Sequence, residues 1–156
     1  MFPIFFMAAF AGTTAWQVET ARDPLGQAVY VASVAPDDAR PQIALRFVCG
    51  GIAGVVFQFN TGDMRIAGLL AEPAPEDVRF EFAHSGYETT AKRAAIVDGI
   101  GTFEIKGTEA FHVANLMQGS GGVTVTRGRF SLTFPLDGAA AAIGEVMSQC
   151  PFKYRE

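Results

Sequence analysis

Cysteine and histidine are scarce in this chain, two of each in 156 residues, and tryptophan occurs once. So few scattered ligand residues, with no acidic metal-binding loop, leave no visible set for a structural zinc or calcium ion. Lys and Arg number 12 against 16 Asp and Glu, and the basic residues lie in small groups such as Lys92-Arg93 and Arg127 with Arg129. A nucleic-acid surface needs a basic stripe, and its absence excludes that partner class. No apolar run is long enough to span a bilayer as a helix. The sequence also contains no G-x-S-x-G, no phosphate-binding glycine loop and no dinucleotide fingerprint. "GSGG", Gly119 to Gly122, is glycine-rich but has no following Lys-Ser or Lys-Thr, and it reads as a turn.

What remains is a globular composition, 49% apolar and 18% charged. A chain of this length buries roughly two thirds of the surface its unfolded form exposes. Gly 17 and Phe 14 against Tyr 3 point to many turns around a phenylalanine-rich core.

The first residues stand apart. Phe2 to Phe10 is an apolar run of signal-peptide length, and Ala9-Phe10-Ala11 supplies the small-x-small pattern of a cleavage site. Thr13-Thr14-Ala15 is a second such pattern, while no Lys or Arg precedes the run. The expectation is a signal peptide over 1–15 and one β-rich domain over 16–156. A buried N-terminal element of a cytosolic chain is the alternative.

Beyond Trp16 the apolar period is mostly two. Ile43, Leu45, Phe47 and Cys49 share one face of a strand, and Ala44, Arg46 and Val48 the other. Val55, Phe57 and Phe59 repeat the pattern, as do Val78, Phe80 and Phe82, Phe103 with Ile105, Val123 with Val125, and Phe130, Leu132 and Phe134. Alternation of this kind predicts an antiparallel, sandwich-like sheet with one dry and one wet face. "GGIAG", "VDGIG" and "RGR" read as its turns. Two segments break the period. Thr108 to Gln118, opening on a capping-type Thr, predicts a short helix with Phe111, Val113, Ala114 and Met117 on its apolar stripe. Asp137 to Gln149, capped by Asp137 or Gly138 and stopped by Pro151, predicts a second helix packed on the sheet.

Cys49 continues the inward face of its strand, and Cys150 continues the Ile143, Val146, Met147 stripe of the closing helix. If both faces meet one core, the sulfurs pair as a disulfide in an exported protein. In a cytosolic chain they would be two small buried residues. Either way burial raises a thiol's pKa, which argues against a nucleophile. Glu81 with His84 and Glu109 with His112 repeat E-x-x-H, a spacing that holds di-iron centres when both copies lie on helices. Here the first copy sits at a strand end and the second on the polar side of a helix, so both read as chance. The carboxylate pairs Asp37-Asp38 and Glu76-Asp77 read as polar loop residues, with nothing to raise a pKa for acid catalysis. No catalytic residue, cofactor site or metal site nominates itself.

The order Trp16-Gln17-Val18, "DPLGQAVYV", "LRFVC", a strand ending near "HSG", a helix around "FHVANLM", "VTVTRGRFSLTF" and a helix closing on Cys150 resembles the VasI-type proteins. Those are associated with bacterial type VI secretion and accompanied by related small exported proteins of unknown function. The chain departs from that pattern at Ala83-His84, where the group tends to carry Trp. The resemblance implies a periplasmic accessory β-protein without known catalytic residues, and it carries over the Cys49–Cys150 pair. Together these readings predict a non-catalytic periplasmic or secreted protein with a cell-envelope protein partner. The alternative is a secreted inhibitor or small-ligand-binding β-domain.

Overall fold

Apolar residues at every second position become strands throughout the described part of the chain, which in this computed structural model comprises residues 15–36, 44–51, 54–59, 76–97, 100–119 and 121–150. The order is β1 (Gln17–Arg22), β2 (Ala28–Val34), β3 (Leu45–Gly50), β4 (Gly54–Phe59), β5 (Glu76–Glu81), β6 (Gly86–Val97), β7 (Ile100–Lys106), α1 (Thr108–Leu116), β8 (Gly122–Arg127), β9 (Phe130–Pro135) and α2 (Ala139–Gln149). The strands form one antiparallel sheet, β1-β2-β3-β4-β7-β6-β5-β8-β9. The mainly β fold with two short helices matches the sequence expectation. Residues 1–14 of the expected signal peptide, Ile43, Asp37-Asp38 and Pro151 lie outside the described residues.

The sheet is folded on itself through β6. Gly86 to Ala91 pair with β5, whereas Lys92 to Val97 pair with β7, with a register shift between Arg93 and Ala95. The two halves then face each other across a phenylalanine core. Phe80 of β5 meets Phe57 and Phe59 of β4 edge-on, at 6.1 and 5.9 Å between ring centres. Such contacts add to the area each ring buries. At the far ends of the strand order the Trp16 indole N–H donates to the Pro135 carbonyl at 2.7 Å. The start of β1 and the end of β9 are therefore neighbours.

Both helices put their apolar stripes into the same core. Phe111 of α1 lies 6.0 Å from Phe47, and Ala142, Ile143 and Val146 of α2 are buried, α2 packing on β1, β2 and β3. The first helix does not use the Thr cap its sequence suggests, whereas the second uses Gly138, one of its two expected caps. α1 opens on Gly107 (φ 70) and α2 on Gly138 (φ 88), both without a side-chain capping bond. β7 runs into α1 with no loop, so the chain reverses at one residue whose positive φ suits glycine. Thr108 is thereby placed inside the first turn.

One expectation fails in the first sheet half. Strands β5, β8 and β9 have the alternating wet face, but β3 is buried on both faces. Val29, Val31, Val48 and Val56 form a second apolar cluster on the face opposite the phenylalanines, and Arg46 beside them is 1% exposed. Burial pulls the Arg46 pKa down to about 10, which still leaves it charged at neutral pH. Its place among small apolar residues, Ala44 and Val48, reads from sequence as a wet face.

Candidate functional site

Cys49 ends the inward row of β3 and Cys150 follows the last turn of α2. Their sulfurs are bonded, with the α-carbons 5.5 Å apart, and both residues are buried, at 0% and 6% exposure. The cross-link joins residues 101 apart in sequence. It ties α2 to the sheet from inside the core.

A polar cluster forms where α1 meets β6. The Tyr87 hydroxyl donates a hydrogen bond to the Glu109 carboxylate, and the Tyr87 ring packs edge-on against His112 at 4.8 Å. The hydrogen bonds from Tyr87 and then Thr89 hold the Glu109 carboxyl below its ordinary pKa, against the opposing effect of partial burial. Desolvation first, and Glu109 second, push the Tyr87 hydroxyl up to about 12. The sequence places Glu109 and His112 on the polar side of a helix; His112 is exposed there, but Glu109 is held by Tyr87. Glu109 is half-buried and bonded to a strand residue that sequence spacing does not connect with it. The only hint is that Tyr87 and Thr89 alternate with exposed Glu88 and Thr90.

The other E-x-x-H copy is not part of this cluster. His84 is exposed in the turn after β5, where the Phe82 N–H donates to the Ser85 carbonyl, and Glu81 lies 3.4 Å from Arg79. Among the described residues no three His, Cys, Asp or Glu side chains are grouped to hold a metal. Glu76 and Asp77 open β5 and do not lie in a loop as expected. Glu76 pairs at 2.6 Å with Arg127, a buried side chain whose guanidinium also sits 4.0 Å above the Phe103 ring. One arginine thus joins β8 to β5 and β7.

Beside the tyrosine cluster the sheet opens. Since Lys92 pairs with Glu104 and Ala91 already belongs to the β5 ladder, β6 and β7 diverge below that point. The cleft between them, about 550 Å³, is lined by Thr89, Thr90, Ala91 and Lys92 of β6, by Glu104, Ile105 and Lys106 of β7, and by Glu109. Lys106 lies 3.2 Å from Glu104 and is mostly exposed.

No family model and no curated protein matches the chain. Among solved structures, invasion associated protein B from Bartonella henselae is similar, with a TM-score of 0.56 over 88% of this chain and 94% of that one. The two share 11% sequence identity, so the likeness is one of fold. Nothing in these comparisons points to the VasI-type group.

Proposed function

We propose that the chain is an exported, non-catalytic protein of the bacterial cell envelope that acts by binding a protein partner there. The observation that carries this reading is the buried Cys49–Cys150 bond. Such bonds persist in oxidising compartments such as the periplasm and are reduced in most cytosols. The apolar run from Phe2 to Phe10 supports the same location from the sequence side. No described helix is long and apolar enough to cross a membrane, which agrees with a protein released into that space. The fold is shared with a protein whose title describes it as invasion associated, a likeness that concerns the fold and not the role. A place in a type VI secretion system rests on the sequence resemblance alone.

Expression from Met1 in a bacterium with an outer membrane tests the reading. The expected product is a periplasmic chain lacking Phe2 to Ala11 by intact mass, with no titratable thiol under denaturing, non-reducing conditions. Photocrosslinking in intact cells should then join it to an envelope protein. A full-length cytosolic chain with two free thiols would overturn the proposal.

A further inference from the structure

The two sulfurs of the Cys49–Cys150 bond are held in very different ways. Cys49 lies inside β3, paired with Tyr30 of β2 on one side and Val55 of β4 on the other. It belongs to the fully buried inward row of Leu45 and Phe47. Bringing it to the surface requires the sheet itself to open. Cys150 follows the helical ladder of α2 with an extended backbone, φ −69 and ψ 126, and its amide donates to the Met147 carbonyl at 3.3 Å. Ser148 and Gln149 before it are exposed, and the last turn of α2 carries no basic side chain to steady its carbonyls. Helix ends of this kind open at far smaller free energies than core strands do.

Thiol–disulfide exchange is a displacement at sulfur, and which sulfur is attacked depends on access along the line away from the one that leaves. A path to Cys49 Sγ runs through the core. A path to Cys150 Sγ needs only the last turn of α2 to loosen. In the opening direction an external thiolate attacks Cys150 Sγ. A bond forms between those two sulfurs, the Cys49–Cys150 bond breaks, and Cys49 leaves with the electron pair and takes a proton from water. A second external thiolate then attacks the external sulfur of this mixed disulfide and expels Cys150 as a thiolate. Two external thiols are thereby oxidised to their disulfide while two cysteines are reduced. Closing runs in reverse, Cys150 attacking an external disulfide and Cys49 then displacing the external thiolate from Cys150.

We propose that Cys150 is the exchange site of this protein: external thiols and disulfides form their mixed disulfide there, and Cys49 serves only as the internal leaving and closing sulfur. Cys49 released as a thiolate beside Leu45, Phe47 and Val55 is a charge in apolar surroundings, which is costly. That cost drives its return to Cys150, so the mixed disulfide collapses to the internal bond while α2 stays docked. The order of attack goes beyond the envelope role inferred above, because the fold sets it in any compartment.

The test maps the mixed disulfide made with glutathione. The purified, oxidised chain is mixed with reduced glutathione under native conditions and quenched in acid at early times. It is then unfolded, blocked with N-ethylmaleimide and mapped by mass spectrometry. The expected product carries glutathione on Cys150 and maleimide on Cys49, about tenfold or more over the reverse product. In concentrated guanidinium the two products should agree within about threefold, since access no longer differs. At low denaturant the rate of the Cys150 product should rise with a slope well below that of global unfolding, as expected for local opening. In the closing direction, native Cys49→Ser should form its glutathione adduct from glutathione disulfide about tenfold or more faster than native Cys150→Ser. Equal native products, or an excess of the Cys49 product, would overturn the proposal. So would a denaturant slope matching global unfolding, which would mean that neither sulfur is reached in the folded chain. The mapping uses the unaltered chain, so it decides the question even where a cysteine variant fails to fold.

Discussion

Trp16 and Pro135 lie at opposite ends of the strand order, yet the Trp16 indole N–H reaches the Pro135 carbonyl at 2.7 Å. One side chain thus fastens the first strand to the last. Trp16→Phe keeps most of the apolar ring and removes the donor, leaving a half-buried carbonyl without it. The expected cost is about 1 kcal/mol, or a melting point lower by a few degrees. Trp16 is also the chain's single tryptophan, so its fluorescence reports this closure in the unmodified protein. A red shift of emission should accompany the main thermal transition; an unshifted melting point in Trp16→Phe would show the bond to be idle.

The disulfide allows a second test. Closing a loop of 101 residues should contribute about 4–5 kcal/mol on the loop-entropy account. Cys49→Ser and Cys150→Ser should each lower the melting temperature by at least several degrees, and the double variant by nearly the same amount. The two sulfurs act as one bond, so their losses do not add. Additive losses in calorimetry would contradict this.

Tyr87 and Glu109 predict a pH dependence at both ends of the scale. The Glu109 pKa is depressed in the fold by its hydrogen bonds from Tyr87 and Thr89. Its share of stability is present above the ordinary glutamate value and disappears as pH falls through the lower folded value. The Tyr87 pKa is raised to about 12, so its share is full below the ordinary value of 10.0 and is lost as pH rises towards 12. Tyr87→Phe should cost about 1.5 kcal/mol at neutral pH, the low end of the range for a hydrogen bond to a charged group, because both side chains are partly exposed. Melting curves of Glu109→Gln and the parent chain should converge as the pH is lowered from 6 to 2. A gap that stays constant would rule out the carboxylate as its source.

Two glycines where β3 gives way to β4, Gly51 after the one strand and Gly54 opening the other, make a matched pair. Gly51 and Gly54 both have positive φ, +64 and +72. A β-carbon on Gly51 would come 2.5 Å from Asp23 Oδ2 and 2.9 Å from Val29 Cγ2, whereas one on Gly54 would meet nothing within 4 Å. Asp23 has little freedom to retreat, since its carboxylate accepts bonds from the Leu25 and Gln27 amides. Gly54→Ala should therefore cost about 1 kcal/mol from backbone strain alone, and Gly51→Ala roughly 1–3 kcal/mol more. Equal denaturation midpoints for the two variants would show that the Asp23 turn yields freely.

The inward rows were readable in the sequence because phenylalanine and valine at every second position have one physical explanation, a face turned to a core. Cys49 and Cys150 were readable by the same phase. The buried second face of β2 to β4 was not. Ala44, Arg46 and Val48 mix charge with small apolar groups, and an arginine reads as wet until its burial is seen. Tyr87 and Glu109 are 22 residues apart and meet only because β7 leads directly into α1. Pairing across the sheet carries no local periodicity, and neither does the point at which a long strand exchanges one neighbour for another. The parting of β6 and β7 at Ala91 and Lys92 was accordingly invisible, although each of its residues lay within a predicted β region.

That exchange of neighbours along β6 bears on how the protein comes apart. A single continuous strand belongs to both halves of the sheet, holding β5 over its first part and β7 over its second. Neither half can open without stripping a flank from the strand that the other half also uses. A fragment ending before Gly86 would lack β7 and leave the far edge of β4 bare. The chain is therefore expected to unfold as one cooperative unit, with the slowest-exchanging amides of β4, β5 and β7 sharing a single opening free energy. A strand that in most sandwiches would mark a seam is here the member through which the two halves stand or fall together.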